Sequence, residues 1–150
     1  MIKKLKLTIE LVPASTWDNN LRNLLKSQMW EYIRKSVYKK CNYKCVICKN
    51  KTGLHAHEIW KYDDKNHIQK LVNIFALCSK CHSIKHLGFA GLQISKGKVN
   101  YENLVKHFMQ VNNCSREIFE KHQKKALKKF EERSHFDWQI DLSEYQKAQD

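Results

Sequence analysis

Two pairs of closely spaced cysteines are the strongest chemical signal in the sequence. Cys45 and Cys48 form one C-x2-C pair, and Cys78 and Cys81 form a second. Each pair can close a turn around one ion, and two such turns complete the closed tetrahedral coordination of a structural zinc. The alternatives are a redox-active C-x2-C pair and two chance pairs. Cys41 is a spare ligand because Cys41-x3-Cys45 also suits chelation, but we favour the pair Cys45 and Cys48.

Three histidines form a second group of metal ligands beside the cysteines. His82 and His86 lie four residues apart, so a helix there presents both imidazoles on one face. In the segment LHAHEIW, strand alternation puts His55 and His57 on one face, and a hairpin would bring His57 back toward the helical pair. Three imidazoles that leave positions open for water and substrate are typical of a catalytic site. The alternative is a half-buried strand whose histidines face water.

The segment from Cys45 to His86 resembles the HNH endonucleases, whose ββα-metal motif joins a two-stranded hairpin to a helix around one divalent ion. The resemblance is carried by C-x2-C, by HAHEIW and by NIFALCSKCHSIKH, which closely matches the family ending N-hydrophobic-x-x-L-C-x-x-C-H-x3-H. It implies that His57 is the first metal ligand, with His82 and His86 as the helical pair. Asn73 matches the family's central asparagine. More loosely, HLGFAGL and the flanking helices are similar to those of bacterial and phage HNH proteins.

The residue after His57 departs from the family pattern. Many members have His-His or Asp-His there, the second residue being the general base, whereas this chain has His57-Glu58. In one register Glu58 is the base; in a register shifted by one, His57 is the base and Ala56 replaces a ligand. A glutamate with its ordinary pKa of about 4.3 is a weak base unless burial raises that pKa. If Glu58 is instead an anionic ligand, the site favours Mg²⁺ or Mn²⁺, whereas imidazoles alone favour zinc or nickel.

The resemblance implies a metal-dependent endonuclease that hydrolyses phosphodiester bonds of DNA. Its catalytic residues would be His57, Glu58 and Asn73, with Asn73 fixing the hairpin or polarising the base. Its cofactors would be a structural zinc and a catalytic Mg²⁺, Mn²⁺, Ni²⁺ or Zn²⁺. The alternative is a catalytically eroded HNH zinc module that binds DNA, RNA or a protein partner without cleavage. The loss of a histidine base favours this alternative.

The charge of the chain favours nucleic acid as the partner. Lys and Arg number 28 against 15 Asp and Glu, which gives a formal charge of +13 and attracts polyanions at long range. Candidate phosphate contacts are the lysines around the motif, among them Lys61, Lys80 and Lys85. Five further lysines either touch phosphates or form a solvated helix face: Lys121, Lys124, Lys125, Lys128 and Lys129.

Helices are predicted on both sides of the ligand-rich segment. Residues 2–12 are expected to form a short strand or an extended arm, Ser15 or Thr16 to cap a helix through Leu25, and Ser27 to cap a second helix. Residues 101–112 and 115–133 are predicted helices, the latter capped by Ser115. The fold class is therefore α+β and mainly helical, as a single functional unit. It comprises an N-terminal arm and helices (1–40), the zinc-containing ββα-metal core (41–91) and C-terminal helices packed on that core (92–150).

The cellular setting follows from the cysteines and from the lack of long apolar segments. Charges interrupt the N-terminal MIKKLKLTIELVP, so it offers no secretory h-region, and no later stretch approaches the length of a membrane span. Cysteines in metal-binding pairs suit a reducing compartment. We expect a soluble cytoplasmic protein.

Overall fold

The computed structural model describes residues 4–87, 97 and 100–145. At their centre is an antiparallel hairpin of β1 (His55–Asp63) and β2 (Ile68–Leu77), with a register shift between Ile59 and Trp60. A short strand, β3 (Gln139–Asp141), pairs in parallel with β2. The helices are α1 (Leu21–Leu24), α2 (Ser27–Lys40), α3 (Ser79–Lys85), α4 (Tyr101–Asn112) and α5 (Arg116–Ser134). The α+β prediction is confirmed.

The N-terminal region departs from the single helix predicted after Ser15 or Thr16. A 3-10 turn covers Ala14–Thr16, and α1 begins only at Leu21, where the Asn20 side chain accepts a hydrogen bond from the backbone N–H of Asn23 at 3.0 Å. The intervening run Asp-Asn-Asn explains the break, because short polar side chains bond to nearby backbone and favour turns and caps over helix interiors. The second helix, α2, begins at Ser27 itself.

The segment before Pro13 forms an extended arm without regular secondary structure over residues 4–13. Hydrogen bonds join the arm to three helices. Asn112 accepts from the backbone N–H groups of Lys6 and Leu7, and the backbone N–H of Ile9 donates to His122 at 2.8 Å. The N–H of Glu10 donates to the carbonyl of Lys85 at 3.1 Å. The arm therefore connects α3, α4 and α5.

Two apolar cores lie on either side of the hairpin. The first joins the arm, the cysteine turns, α3, α4 and α5, and its fully buried members include Leu7, Cys81, Val105 and Phe108. The second packs α1 and α2 against the sheet through residues such as Leu21, Trp30, Ile74 and Leu142. Because the first core is built partly from cysteines, metal binding would contribute directly to its folding free energy.

The C-terminal helices form as predicted. α5 starts after Ser115, whose hydroxyl accepts from the backbone N–H of Ile118 at 3.4 Å. The polar tail after Trp138 was not expected to contribute a strand, yet β3 lies there. The expected boundary at residues 91 and 92, and most of HLGFAGL, lie outside the described residues. None of the helices found in the described ranges has the length and apolar character needed to cross a membrane.

Candidate metal centres

The four predicted cysteines converge on one point. Their Sγ atoms all lie within 4.8 Å of one another. In the first pair, a tight turn is closed by the backbone N–H of Lys49, which donates to the carbonyl of Cys45 at 3.0 Å. In the second pair, Cys78 caps α3 and its sulfur accepts from the backbone N–H of Cys81 at 3.5 Å. Cys41 lies outside the set, at the C-terminal end of α2.

The spacing and ionisation of these thiols suit a structural zinc ion. Zn–S bonds of about 2.3 Å imply sulfurs about 3.8 Å apart in a tetrahedron, and the sulfurs of Cys48 and Cys78 are 3.5 Å apart. Hydrogen bonds from Cys78 and Cys81 lower the pKa of Cys45, whereas the bond to Cys45 raises the pKa of Cys78 to about 11. Four cysteines this close can bind a structural zinc, whose charge would favour all four thiolates.

A histidine that the sequence did not point to contacts this cluster. His107, on α4, places its Nε2 at 3.2 Å from the sulfur of Cys81. As an N–H donor, this imidazole would stabilise the Cys81 thiolate and orient it. Cys81 and His107 lie 26 residues apart, and no local motif joins them. Only the packing of α4 against α3 brings them together.

The three predicted histidines also meet. His57 comes from β1, His82 from α3 and His86 from its C-terminal cap, and their ligand nitrogens lie within 4.8 Å of one another. The Nδ1 of His57 and the Nε2 of His86 are 2.9 Å apart. The hairpin makes this possible, because β2 returns alongside β1, with Phe75 opposite His57, and α3 follows directly.

Burial keeps these three imidazoles in the neutral form that binds metals. It is the main cause of the lowered pKa of each, to about 3 for His82 and about 4 for His86, and His57 also lies well below its ordinary value. Neighbouring positive charge acts in the same direction on His57 and His82. Zn–N bonds of about 2.1 Å imply nitrogens about 3.4 Å apart. Three neutral nitrogens at the observed separations can hold one metal ion with small side-chain movements.

His55 extends the histidine cluster beyond the three predicted ligands. Its ring stacks on that of His82, with ring centres 4.7 Å apart and planes 7° apart. Its pKa is lowered by burial and by the charge of Arg22. Arg22 also lowers the pKa of His82, so its guanidinium acts on the same cluster. Strand alternation pairs His55 with His57 on one face, but Arg22 could not have been identified from spacing.

Glu58 has a structural partner that the sequence did not suggest. Its side chain is buried, with 8% of the residue exposed, and its Oε1 accepts from the backbone N–H of Leu21 at 3.0 Å. Burial raises the pKa of this carboxyl above its usual 4.5, while the Leu21 N–H opposes the shift. Glu58 and His57 nevertheless line the same cavity of about 590 Å³, together with His86. The Glu58 side chain therefore caps the start of α1 and lines a cavity that His57 and His86 also line.

Asn73 lies apart from the histidines. It pairs with Ile59 at the bulge of the hairpin, and its Oδ1 accepts from the backbone N–H of Ile74 at 2.8 Å. Its neighbours include Tyr32 and Val37 of α2, around a different cavity. Among the described residues no hydrogen bond joins Asn73 to Glu58. Both predicted roles of Asn73, fixing the hairpin and polarising the base, stay predictions.

The three lysines predicted to contact phosphate differ in availability. Lys61, on β1, and Lys80, on α3, are exposed. Lys85 is 6% exposed, and its Nζ donates to Thr8 at 2.9 Å and pairs with Glu10 at 3.1 Å. The expectation for Lys85 is therefore wrong, because its ammonium is buried and already neutralised. It anchors the N-terminal arm to α3.

Family models, curated proteins and solved structures were all compared with the chain, and none of them matches it. What these centres do must therefore be inferred from their own residues.

Proposed function

We propose that the protein is a metal-dependent, HNH-type endonuclease that hydrolyses phosphodiester bonds of DNA. The observation that carries the proposal is the set of three imidazole nitrogens within 4.8 Å, one from a hairpin strand and two from the helix that follows. The chain order β1, β2, α3 is the order of a ββα-metal motif. A buried carboxylate in the same cavity supplies a candidate base.

In this proposal, His57, His82 and His86 hold a divalent ion, and burial keeps them unprotonated at neutral pH. The ion, when bound, neutralises charge on the phosphate and helps the 3′ oxygen to depart. Glu58 removes a proton from the attacking water. Its raised pKa makes it a stronger base than an exposed glutamate.

The geometry favours Glu58 over His57 as this base. The Nδ1 of His57 faces His86 at 2.9 Å, so this nitrogen belongs to the ligand set. The Glu58 carboxylate accepts from the backbone N–H of Leu21 and also interacts with its own backbone N–H, so in this proposal the attacking water reaches it from the cavity that it shares with His57 and His86. Asn73 supports the hairpin from its bulge and takes no direct part.

A second candidate function is an eroded HNH module that binds DNA, RNA or a protein partner and does not cleave. The hydrogen bond from Leu21 to Glu58 favours it, because a carboxylate that caps a helix has a structural reason to occupy this position. In that case the zinc site and the positive charge would serve binding alone.

Plasmid cleavage separates these two functions. We expect supercoiled DNA to be nicked in the presence of at least one of Mg²⁺, Mn²⁺, Ni²⁺ or Zn²⁺, and His57→Gln and His82→Gln to lower the rate by two or more orders of magnitude. His135→Gln is the matched control, since His135 is exposed at the end of α5 and outside the cluster. Thermal melting confirms that the variants fold. A wild-type protein that is inactive with all four ions would leave only the binding function.

A further inference from the structure

The histidine cluster lies where two cavities meet. The first, of about 590 Å³, opens between the N-terminal arm, β1 and α5. The second, of about 580 Å³, opens between α1, α2 and the hairpin. Both are lined by His86, Glu58 and Trp60, and by Leu11 and Val12 of the arm. A ligand that occupied both cavities would therefore pass directly across the proposed cleavage centre.

One wall of the first cavity carries positive charge from α5. Lys125, Lys128, Lys129 and Arg133 line it, and Glu132 is an α5 carboxylate on the same wall. Lys129 and Arg133 already pair with Asp64, at 3.7 and 2.9 Å. In the described part of the chain, Lys125 and Lys128 form no ion pair. These two exposed ammonium groups are thus available to an anionic ligand.

Two other lysines of α5 provide an internal comparison. Lys121 and Lys124 are exposed on the same helix but do not line either cavity with the histidines. Lys121 also pairs with Glu117 one turn earlier, at 3.2 Å. The helix therefore has lysines that face the cavity and lysines that do not.

The second cavity combines positive charge with aromatic surface. Arg22 and Arg34 line it, and the charge of Arg22 acts on His55 and His82 at its inner end. Trp17, Trp30 and Trp60 supply aromatic surface, and Trp17 is 37% exposed. Basic residues beside exposed aromatic rings are the combination by which proteins hold unpaired nucleic-acid strands, with phosphates on the cations and bases on the rings.

Two buried donors in the wall of the second cavity lack partners. Among the described residues, the indole N–H of Trp30 and the side-chain amide of Gln69 are the buried side-chain groups without a hydrogen-bond partner. Gln69 is fully buried, and its Oε1 is occupied by Thr16 at 2.7 Å. Unpaired buried donors are rare in native proteins. Both donor atoms lack accessible surface, so they lie behind the cavity wall and not at its surface.

We infer that the two cavities form one channel for an unpaired nucleic-acid strand, with phosphates on Lys125 and Lys128 at one end and on Arg22 at the other. A base of the strand lies against Trp17 and Trp60. The inference rests on the proposed function for the position of the scissile bond. A duplex is a poorer fit, because its base faces are stacked on each other and it offers the protein only phosphates and base edges. The substrate would then be single-stranded or locally melted.

Binding measured without cleavage tests this inference. Fluorescence anisotropy with the zinc-loaded, 150-residue chain and no added divalent ion compares labelled oligo(dT), labelled oligo(rU) and a duplex with an equal number of phosphates. We expect at least one of the two strands to bind about tenfold or more tightly than the duplex. Trp17→Ala should weaken strand binding about tenfold and leave duplex binding unchanged.

Salt titration identifies the lysines that contact phosphate. The double variant Lys125→Ala/Lys128→Ala should reduce the slope of log K against log salt by about 1.4 for a single strand, since each lost contact removes about 0.7. The matched variant Lys121→Ala/Lys124→Ala should keep the wild-type slope and affinity. All four lysines and Trp17 are exposed, so the variants should keep the wild-type melting temperature.

Duplex binding as tight as strand binding would overturn the inference, as would equal losses in the two double variants. Failure of the proposed function is a separate result. If the protein prefers single strands but cleaves no DNA with any of the four ions, the channel is supported and the nuclease function is refuted. If the protein nicks DNA but binds duplex more tightly than single strands, the nuclease function is supported and the channel is refuted.

Discussion

Replacement of Glu58 by glutamine separates a catalytic role of this side chain from a structural one. Glu58 is 8% exposed, and its Oε1 accepts the backbone N–H of Leu21, the first residue of a helix only four residues long. Glutamine has the same size and keeps an oxygen acceptor, but it loses the negative charge and the basicity. The cap can therefore persist in Glu58→Gln while proton removal cannot.

The expected cost in stability is small. Hydrogen bonds to charged groups contribute about 1.5–3 kcal/mol and neutral ones about 0.5–1.5 kcal/mol. The free energy of unfolding should therefore fall by at most about 1 kcal/mol, because glutamine also removes the desolvation cost that raises the pKa of Glu58. For a chain of this size that corresponds to a melting temperature lower by about 2–4 °C. Glu58→Ala is different, because it leaves the Leu21 N–H buried without an acceptor, at a cost of about 1–3 kcal/mol before any loss of packing.

The expected cost in catalysis is large. If Glu58 is the base, kcat/KM for DNA cleavage should fall by about 100-fold or more in Glu58→Gln. The pH–rate profile gives a second readout. Burial raises the pKa of Glu58 above 4.5, and the base must be ionised, so activity should rise with pH through that higher pKa. Glu132→Gln is the matched control, since Glu132 lines the same cavity, is exposed and forms no ion pair in the described part of the chain.

Two results would refute this reasoning. A folded Glu58→Gln that cleaves at the wild-type rate would reduce Glu58 to a helix cap and leave His57 as the candidate base of the shifted register. A wild-type protein that is inactive with every ion, but whose Glu58→His variant cleaves, would identify an eroded centre, because an imidazole has a pKa of about 6.5.

Three further predictions concern the ligands. Cys81→Ser should lose zinc and melt far below the wild type, whereas Cys41→Ser should retain one zinc per chain by elemental analysis. His107→Ala should weaken zinc binding about 10- to 100-fold in chelator competition while keeping the fold in excess zinc. Without a bound divalent ion, the free energy of unfolding should fall as pH drops below about 6.5. The histidines of the unfolded chain take up protons near that pH, whereas in the folded chain burial lowers the pKa of His82 to about 3 and that of His86 to about 4. Urea titrations from pH 7 to 5 check this, and His86→Gln should show a shallower decline.

The parts of the fold that depend on local sequence were predictable. Spacing alone predicted the helices at 101–112 and 115–133, and the cap at Ser115, because an apolar stripe and a capping residue act within a few residues. The break between Thr16 and Leu21 was not predicted, because Trp17, Leu21, Leu24 and Leu25 recur at helical spacing and favour one continuous helix. β3 was missed because three residues hold no periodicity, and its pairing with β2 depends on the hairpin being already in place.

In the candidate site, too, the residues fixed by local spacing were predictable and the long-range contacts were not. Ligand spacing identified the four cysteines and the three histidines that come together, since C-x2-C turns and an i, i+4 helical pair fix geometry locally. Long-range partners could not be found by spacing. Lys85 was expected at the surface, yet the arm brings Glu10 and Thr8 to its ammonium from 75 or more residues earlier in the chain. The backbone N–H of Leu21 likewise bonds to Glu58 from 37 residues earlier in the chain, and no local sequence pattern indicates either contact.

The two centres are coupled through α3, although no cysteine belongs to the histidine set. Cys81 faces the first apolar core, while the next residue, His82, faces β1, because consecutive helical residues point about 100° apart. Cys78 caps this helix, so the thiols fix both its start and its rotation. His57 is fixed independently by the pairing of β1 with β2. A zinc ion bound by the four thiols would therefore set the distance between His82 and His57 without contacting either residue. In this way the zinc site would position the ligands of the proposed catalytic site.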